Sequence, residues 1–158
     1  MTTLFTPDPE LDLVLDRVVD VPRALVWEAW TRPEHLKVWF APRPWSIADV
    51  QIDLRPGGRC HTVMRSPDGT LYPNTGCYLE VVPQERLVFT DALGPGFRPT
   101  AEPFMTAMVQ LKDEGGGTRY TATAIHRDAE TRKRHEDMGF HAGWGQVLDQ
   151  LVEHMRSR

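Results

Sequence analysis

The feature that most constrains the fold is a proline-free segment near the C-terminal end of the chain. Between Ala129 and Met155 the apolar residues recur at steps of three and four, the spacing that places side chains on one face of an α-helix. This stripe consists of Phe140, Trp144, Val147, Leu148, Leu151 and Met155. We predict one long amphipathic helix, whose apolar face needs a partner to cover it.

The preceding residues predict that partner to be a sheet. Leu11–Val19 is rich in aliphatic and β-branched residues and predicts a first strand, and two short helices follow over Ala24–Trp30 and from Pro33 to Phe40. Six further runs alternate with a period of two between proline- and glycine-rich turns: Trp45–Leu54, Gly58–Arg65, Thr75–Val82, Arg86–Ala92, Thr106–Lys112 and Thr118–His126. This order predicts an α+β fold in which a curved antiparallel sheet of about seven strands wraps around the C-terminal helix.

No linker or repeat interrupts these elements, so we expect a single domain over residues 1–158, with residues 1–10 as an N-terminal extension. The segment from Gly94 to Pro103 is rich in glycine and proline, and we expect it to be a mobile loop near the mouth of a pocket.

Composition and charge exclude several classes of function. The 158 residues are 41% hydrophobic and carry a net charge of -4, which argues against a nucleic-acid partner. No apolar run approaches the roughly 20 residues of a membrane span, so membrane insertion is not expected. The N-terminus lacks the pattern of a secretory signal, and Cys60 and Cys77 are interpreted as free thiols. We therefore expect a cytoplasmic protein.

Glycines in the predicted long helix point to a pocket beside it. Each costs roughly 1 kcal/mol relative to alanine, and the space it leaves serves either a ligand or close packing. We expect a cavity at Gly139 and Gly145 and close packing at Gly143. Met138 and His141 lie three residues apart and are predicted to face the same cavity.

The strands are predicted to supply the opposite wall of that pocket. Alternation places Cys60, Thr62 and Met64 on one face, which we take as the inward one. The same pattern places Tyr78 and Glu80 on one face of their strand. Inward positions on the following strands are assigned to Met108 and Tyr120.

Tryptophans and phenylalanines supply further candidates for the pocket. Trp27 and Trp30 are interpreted as core, whereas Trp39, Phe40 and Trp45 flank a proline-rich bend and fit either a core or a pocket mouth. The complete set of predicted ligand-binding residues is Trp39, Phe40, Trp45, Thr62, Met64, Tyr78, Phe89, Phe104, Met108, Tyr120, Met138, His141 and Gly145.

No familiar catalytic or cofactor motif is present. The sequence has no G-x-S-x-G elbow, P-loop or dinucleotide fingerprint, and the histidines of the last helix lack the spacing of a metal site, so no cofactor or metal is expected. His141 and Glu80 are weak candidates for a general acid or base, with Tyr78 or Tyr120 donating a hydrogen bond to a substrate oxygen. Whether the chain is an enzyme stays open at this point.

A series of short motifs resembles one branch of the START-like superfamily, the activator of heat-shock-protein-ninety ATPase homologue-like family. The similarity covers about residues 11–155 and depends on the order and spacing of the motifs together. They are Arg17, Val21–Pro22, Val26–Trp27, Trp30–Thr31, Pro33–Leu36, Trp39, Asp53–Gly58, Met64–Gly69, Gly76–Glu80, Pro83–Leu87, Gly117–Arg119, Gly143–Trp144, Leu148 and Leu151.

The resemblance implies a helix-grip fold whose cavity holds a small hydrophobic or aromatic molecule, and it implies no shared catalytic residues. Binding of such a molecule is therefore the first hypothesis for function. A cyclase, dehydratase or hydrolase that uses the same pocket is the alternative, and a stress-related co-chaperone is a second one. The co-chaperones that give the family its name have an additional domain that this chain lacks, so a chaperone partner is not expected. A homodimer is compatible with the sequence.

Overall fold

The structure is a computed structural model that describes residues 5–157. Residues 1–4, which belong to the predicted N-terminal extension, and residue 158 lie outside the described part. The regular elements, in chain order, are β1 (Asp12–Val19), α1 (Arg23–Thr31), α2 (Pro33–Trp39), β2 (Ser46–Ile52), β3 (Arg59–Arg65), β4 (Leu71–Val82), β5 (Arg86–Thr90), β6 (Leu93–Gly94), a 3-10 helix (Pro95–Phe97), β7 (Arg98–Pro99), β8 (Thr106–Glu114), β9 (Gly117–Ile125), α3 (Ala129–Asp137) and α4 (Phe140–Arg156).

Seven strands form one antiparallel sheet in the order β1-β9-β8-β5-β4-β3-β2. The predicted α+β fold with a sheet of about seven strands is therefore confirmed. β6 and β7 form a separate two-stranded ladder on either side of the 3-10 helix. The glycine- and proline-rich segment thus has local structure between the fifth and sixth strands of the main sheet.

The core lies on the inner face of the sheet, which we define as the face that the helices cover. β8 and β9 show how alternation builds it, because every second residue of each strand is buried and faces its partner. The pairs are Ala107 with Ala124, Val109 with Ala122 and Leu111 with Tyr120. Leu148 and Leu151 of α4 are buried in the same core, so the predicted apolar stripe does pack as expected.

One buried side chain fixes α4 to the connection between α2 and β2. The Nε2 of Gln150 donates to the carbonyl oxygens of Trp39 at 3.0 Å and Ala41 at 2.8 Å. Its Oε1 accepts the backbone N–H of Arg43 at 3.0 Å. A buried amide is tolerated only when its polar atoms are paired, and here both are. The position of α4 is therefore set by directed hydrogen bonds as well as by apolar packing.

The prediction of a single long helix over residues 129–155 is wrong, because the chain breaks between α3 and α4. Met138 ends α3, and Gly139 takes a left-handed conformation with φ of 93°. Other residues rarely adopt this conformation, so the glycine permits the break. α4 then starts at Phe140 and carries the apolar stripe, whereas α3 is polar along most of its length.

The other two glycines also differ from expectation. A methyl group at Gly143 would meet no atom within 4 Å, so the predicted close packing at this position is wrong. A methyl group at Gly145 would lie 3.8 Å from a guanidinium nitrogen of Arg17, so the space there belongs to an arginine and not to a cavity. That arginine donates to the carbonyl oxygen of Gly145 at 3.3 Å and pairs with Asp149 at 2.6 Å.

The environments of Gly139 and Gly143 predict opposite effects of a substitution by alanine. Gly139→Ala should lower the free energy of unfolding by about 1–2 kcal/mol, because alanine is strained at a positive φ. Gly143→Ala should raise it by up to about 1 kcal/mol, because alanine favours a helix interior and has room there. Urea denaturation of both variants measures the difference. A stabilised Gly139→Ala protein would contradict the proposed role of the glycine in the break.

Candidate functional site

A cavity of about 80 Å³ opens between the inner face of the sheet and the first two helices. Strands β2 to β5 form one wall, α1 and α2 the other, and the segment after β5 and the segment before β8 lie at its edge. The lining residues are Trp30, Leu36, Phe40, Ile52, Cys60, Thr62, Asn74, Gly76, Tyr78, Leu87, Phe89, Thr90, Asp91, Phe104 and Met105. No residue of α4 is among them, so this cavity does not lie between the sheet and the C-terminal helix, where the sequence predicts a pocket.

Trp30 organises the aromatic wall of the cavity. Its ring centre lies 5.5 Å from that of Phe40 at a steep angle and 5.7 Å from that of Phe89. The indole N–H donates to the hydroxyl of Tyr120 at 3.1 Å, which satisfies the one polar atom of the ring. α1 places Trp30 on its buried side, next to Val26. The wall is therefore apolar and held by both packing and a hydrogen bond.

Two weakly acidic groups in the wall remain protonated at neutral pH. The Cys60 thiol and the Tyr78 phenol interact with each other in the wall. Burial raises the pKa of the Cys60 thiol to about 11, and it raises the pKa of the Tyr78 phenol well above its ordinary value. A thiol with a raised pKa is a poor nucleophile. These groups therefore supply neutral hydrogen-bonding atoms to the cavity.

Asp91 joins the end of β5 to the segment that precedes β8. Its Oδ1 accepts the backbone N–H of Phe104 at 2.8 Å and that of Met105 at 3.0 Å. The backbone N–H of Asp91 donates to the carbonyl oxygen of Met105 at 3.3 Å, and the Thr100 hydroxyl donates to the carbonyl oxygen of Asp91 at 2.6 Å. These contacts hold a half-buried carboxylate at the cavity.

Five of the predicted ligand-binding residues do lie in the cavity wall: Phe40, Thr62, Tyr78, Phe89 and Phe104. Four others pack elsewhere. Trp39 is fully buried in the core, where its indole N–H donates to the carbonyl oxygen of Ala29 at 2.9 Å. Tyr120 lies in the core and accepts the hydrogen bond from Trp30, Trp45 stacks with Tyr72 at 5.5 Å, and Met64 packs against the core.

The assignment of Met108 to the pocket is wrong because of the strand register. Met108 pairs with Val88 on one side and Thr123 on the other, and it alternates with the buried residues Ala107 and Val109. Its side chain therefore lies on the outer face of the sheet, where the Nε2 of Gln110 contacts its sulfur at 2.7 Å.

Three predicted residues of the last helical segment also lie away from the cavity. Met138 is 69% exposed, and His141 is exposed as well. Gly145 faces Arg17. The prediction assumed one continuous helix, and the break at Gly139 changes the direction in which residues on either side of it point.

Neither candidate acid or base reaches the cavity. A β-bulge between Tyr78 and Glu80 adds one residue to β4, so these two residues point to opposite faces and not to the same one. Tyr78 faces inward, whereas Glu80 forms an ion pair with Arg86 on the outer face. His141 is exposed on α4, so the structure does not bring either predicted acid or base to the cavity.

Several lining residues were not predicted as binding residues. Trp30 had been assigned to the core alone, although it belongs to the core and to the cavity wall. Asp91 and Met105 flank the irregular segment, where alternation gives no information. A signal for Asp91 is nevertheless present, because it is an acidic residue at the end of the apolar strand predicted over Arg86–Ala92, just before the expected loop at the pocket mouth.

A pair of buried histidines lies behind Phe104. The Nδ1 of His126 lies 2.7 Å from the carbonyl oxygen of Leu11, and because a carbonyl only accepts, this nitrogen carries the proton. Nε2 of the neutral ring then accepts from Nδ1 of His135 at 2.9 Å. The ring centres of His135 and Phe104 are 4.7 Å apart. Within residues 5–157 no three side chains are grouped as metal ligands.

Sheet, helices and cavity together define a helix-grip protein of the START-like superfamily. The family model described as activator of Hsp90 ATPase homolog 1-like protein matches residues 20–156, and the chain belongs to this family. The resemblance seen in the sequence is thereby confirmed.

Solved structures agree with this assignment. A crystal structure of a Nitrosomonas europaea protein is 50% identical to the chain, with a TM-score of 0.93 and coverage of 96% of this chain and 97% of that one. A Mycobacterium smegmatis protein is 26% identical, with a TM-score of 0.76 and coverage of 91% and 90%. A Rhodobacter sphaeroides protein at 19% identity shares the fold, with a TM-score of 0.83 and coverage of 96% and 97%.

The search of curated proteins found no match. In the part of the chain that the structure describes, no helix is long and apolar enough to cross a membrane.

The histidine pair predicts a pH dependence of stability. Burial, and secondarily the electrostatic effect of neighbouring His126, lowers the pKa of His135 to about 4 in the folded protein, against about 6.5 when it is exposed. The unfolded chain then binds more protons between these values. The contribution of this residue to stability is complete above pH 6.5 and is lost as the pH falls toward 4, by on the order of 2 kcal/mol.

Urea denaturation at several pH values checks this prediction. His135→Gln should flatten the decline of the free energy of unfolding between pH 6.5 and 4, whereas His141→Gln, at an exposed position, should keep the wild-type profile. If the free energy of unfolding fell equally steeply with decreasing pH in the wild type and both variants, His135 would not be the cause of the pH dependence.

Proposed function

We propose that this protein binds a small hydrophobic or aromatic molecule in the cavity between α1, α2 and strands β2 to β5. The observation that carries the proposal is the aromatic lining of that cavity. Ligand sites are usually concave and apolar, with a few polar groups that fix orientation. Membership of the family and the helix-grip fold support this reading, because both are compatible with a ligand-binding domain.

The composition of the wall favours a flat, apolar ligand. Trp30, Phe40, Tyr78, Phe89 and Phe104 line the cavity, and aromatic rings stack or meet edge-to-face at low energetic cost. Most of the surface that lines the cavity is apolar. The Cys60 thiol and the Tyr78 phenol are uncharged at neutral pH and interact with each other. Burial of apolar surface therefore contributes more to the free energy of binding than polar contacts do.

The size of the cavity points to a single ring. An engineered apolar cavity of roughly 150 Å³ binds benzene, and the volume here is about 80 Å³. A ring-sized ligand therefore requires side chains at the edge to move outward. Phe104 and Met105 are half-buried at the edge of the cavity, so we expect their side chains to turn outward while their backbone N–H groups stay hydrogen-bonded to Asp91.

A cavity-filling substitution tests the proposal. The side chain of Thr62 lines the cavity, and its hydroxyl has no hydrogen-bond partner among residues 5–157, so Thr62→Leu removes space without breaking a side-chain hydrogen bond. Overpacking of this kind costs about 1–3 kcal/mol, which predicts a loss of toluene affinity of about tenfold or more. Calorimetric titration and the ligand-induced rise in melting temperature measure it.

Val63→Leu is the matched control, because Val63 is the next residue of β3 and points to the other face. Its affinity for toluene should stay within about twofold of wild type. Absence of toluene binding to the wild-type protein would refute the proposed function. Equal affinities in the two variants would place the binding site outside this cavity.

A further inference from the structure

Asp91 places a negative charge at a cavity whose other lining residues are uncharged and mostly apolar. It lines the cavity together with the rings of Trp30, Phe40 and Phe89. Within residues 5–157 its carboxylate has no ion-pair partner, and its two hydrogen bonds come from the backbone N–H groups of Phe104 and Met105. Both bonds go to Oδ1, which leaves Oδ2 without a donor among the described residues.

A charge in such surroundings favours a positively charged partner. A carboxylate beside low-dielectric side chains interacts more strongly with a cation than it would in water. Aromatic faces add to this preference, because the negative face of a ring attracts a cation within about 6 Å. Phe104 already makes one such cation–π contact, because the guanidinium carbon of Arg134 lies 5.4 Å from its ring centre.

The carboxylate is also held in place before any ligand arrives. Four hydrogen bonds involving its side chain and backbone tie Asp91 to Thr100, Phe104 and Met105. A fixed acceptor loses little conformational entropy on binding, so its contribution to specificity is large for a single group.

From this arrangement we infer that the ligand is an aromatic amine, bound with its ring against the aromatic wall and its ammonium group against the carboxylate of Asp91. The inference rests on the proposed ligand-binding function and names the chemical class of the ligand. It makes Asp91 the specificity-determining residue of the cavity.

Three small ligands of nearly the same shape test the inference. Benzylamine is cationic at neutral pH, benzyl alcohol is neutral and benzoate is anionic. The wild-type protein should bind benzylamine about tenfold more tightly than benzyl alcohol, because a charge-assisted hydrogen bond is stronger than a neutral one. Benzoate should bind most weakly. The preference for benzylamine should shrink as salt is added.

Asp91→Asn is the decisive variant, because asparagine keeps Oδ1 as an acceptor for Phe104 and Met105 and removes only the charge. It should lose the preference for benzylamine and keep its affinity for benzyl alcohol. Glu102→Gln removes an exposed acidic charge from the same segment and should leave both affinities unchanged.

The outcomes separate the two proposals. If benzyl alcohol and toluene bind but benzylamine binds no more tightly, or if Asp91→Asn keeps the preference, the inference about the amine is wrong and the ligand-binding function stands. If none of these molecules binds the wild-type protein, the proposed function itself fails. If Asp91→Asn does not fold, the ranking of the three ligands and its salt dependence in the wild-type protein decide the question.

Discussion

The packing of Trp30 against the sheet is the interaction on which the rest of the structure depends. Its indole belongs to the core, where it meets the ring of Trp39 at 5.0 Å and donates a hydrogen bond to Tyr120. The same ring forms part of the cavity wall. One side chain thus separates a densely packed region, which α4 covers, from a region that α4 does not reach. Since the cavity exists where packing stops, the orientation of this tryptophan sets its position.

The general architecture could be predicted because it depends on local patterns. The period of the strands, the turn residues and the stripe of α4 each occur within one segment of the chain, and together they specify an α+β fold. The cavity could be predicted only in part. Alternation shows that Thr62 and Met64 share a face, but the face that is covered by helices depends on partners far away in the sequence.

The wrong assignments of side chains arise where a single residue shifts the alternation of a strand or ends a helix. One extra residue in β4 moves Glu80 to the outer face, although Tyr78 points inward as expected. One left-handed glycine ends α3, and Met138 and His141 do not line the cavity that they were predicted to face. A bulge and a break leave almost no trace in composition or periodicity, so residues beyond them are assigned to the wrong side.

Phe104 shows that tertiary contacts, and not a local sequence pattern, position part of the candidate site. It follows Pro103 in a segment without periodicity, so no pattern fixes its direction. Two tertiary contacts fix it instead: Asp91 accepts its backbone N–H at 2.8 Å, and the ring of His135 packs against its ring. The first contact uses a carboxylate oxygen as acceptor, and the second uses a buried imidazole ring. Polar groups thus hold the aromatic edge of the cavity in place, although no periodic pattern in the sequence marks them.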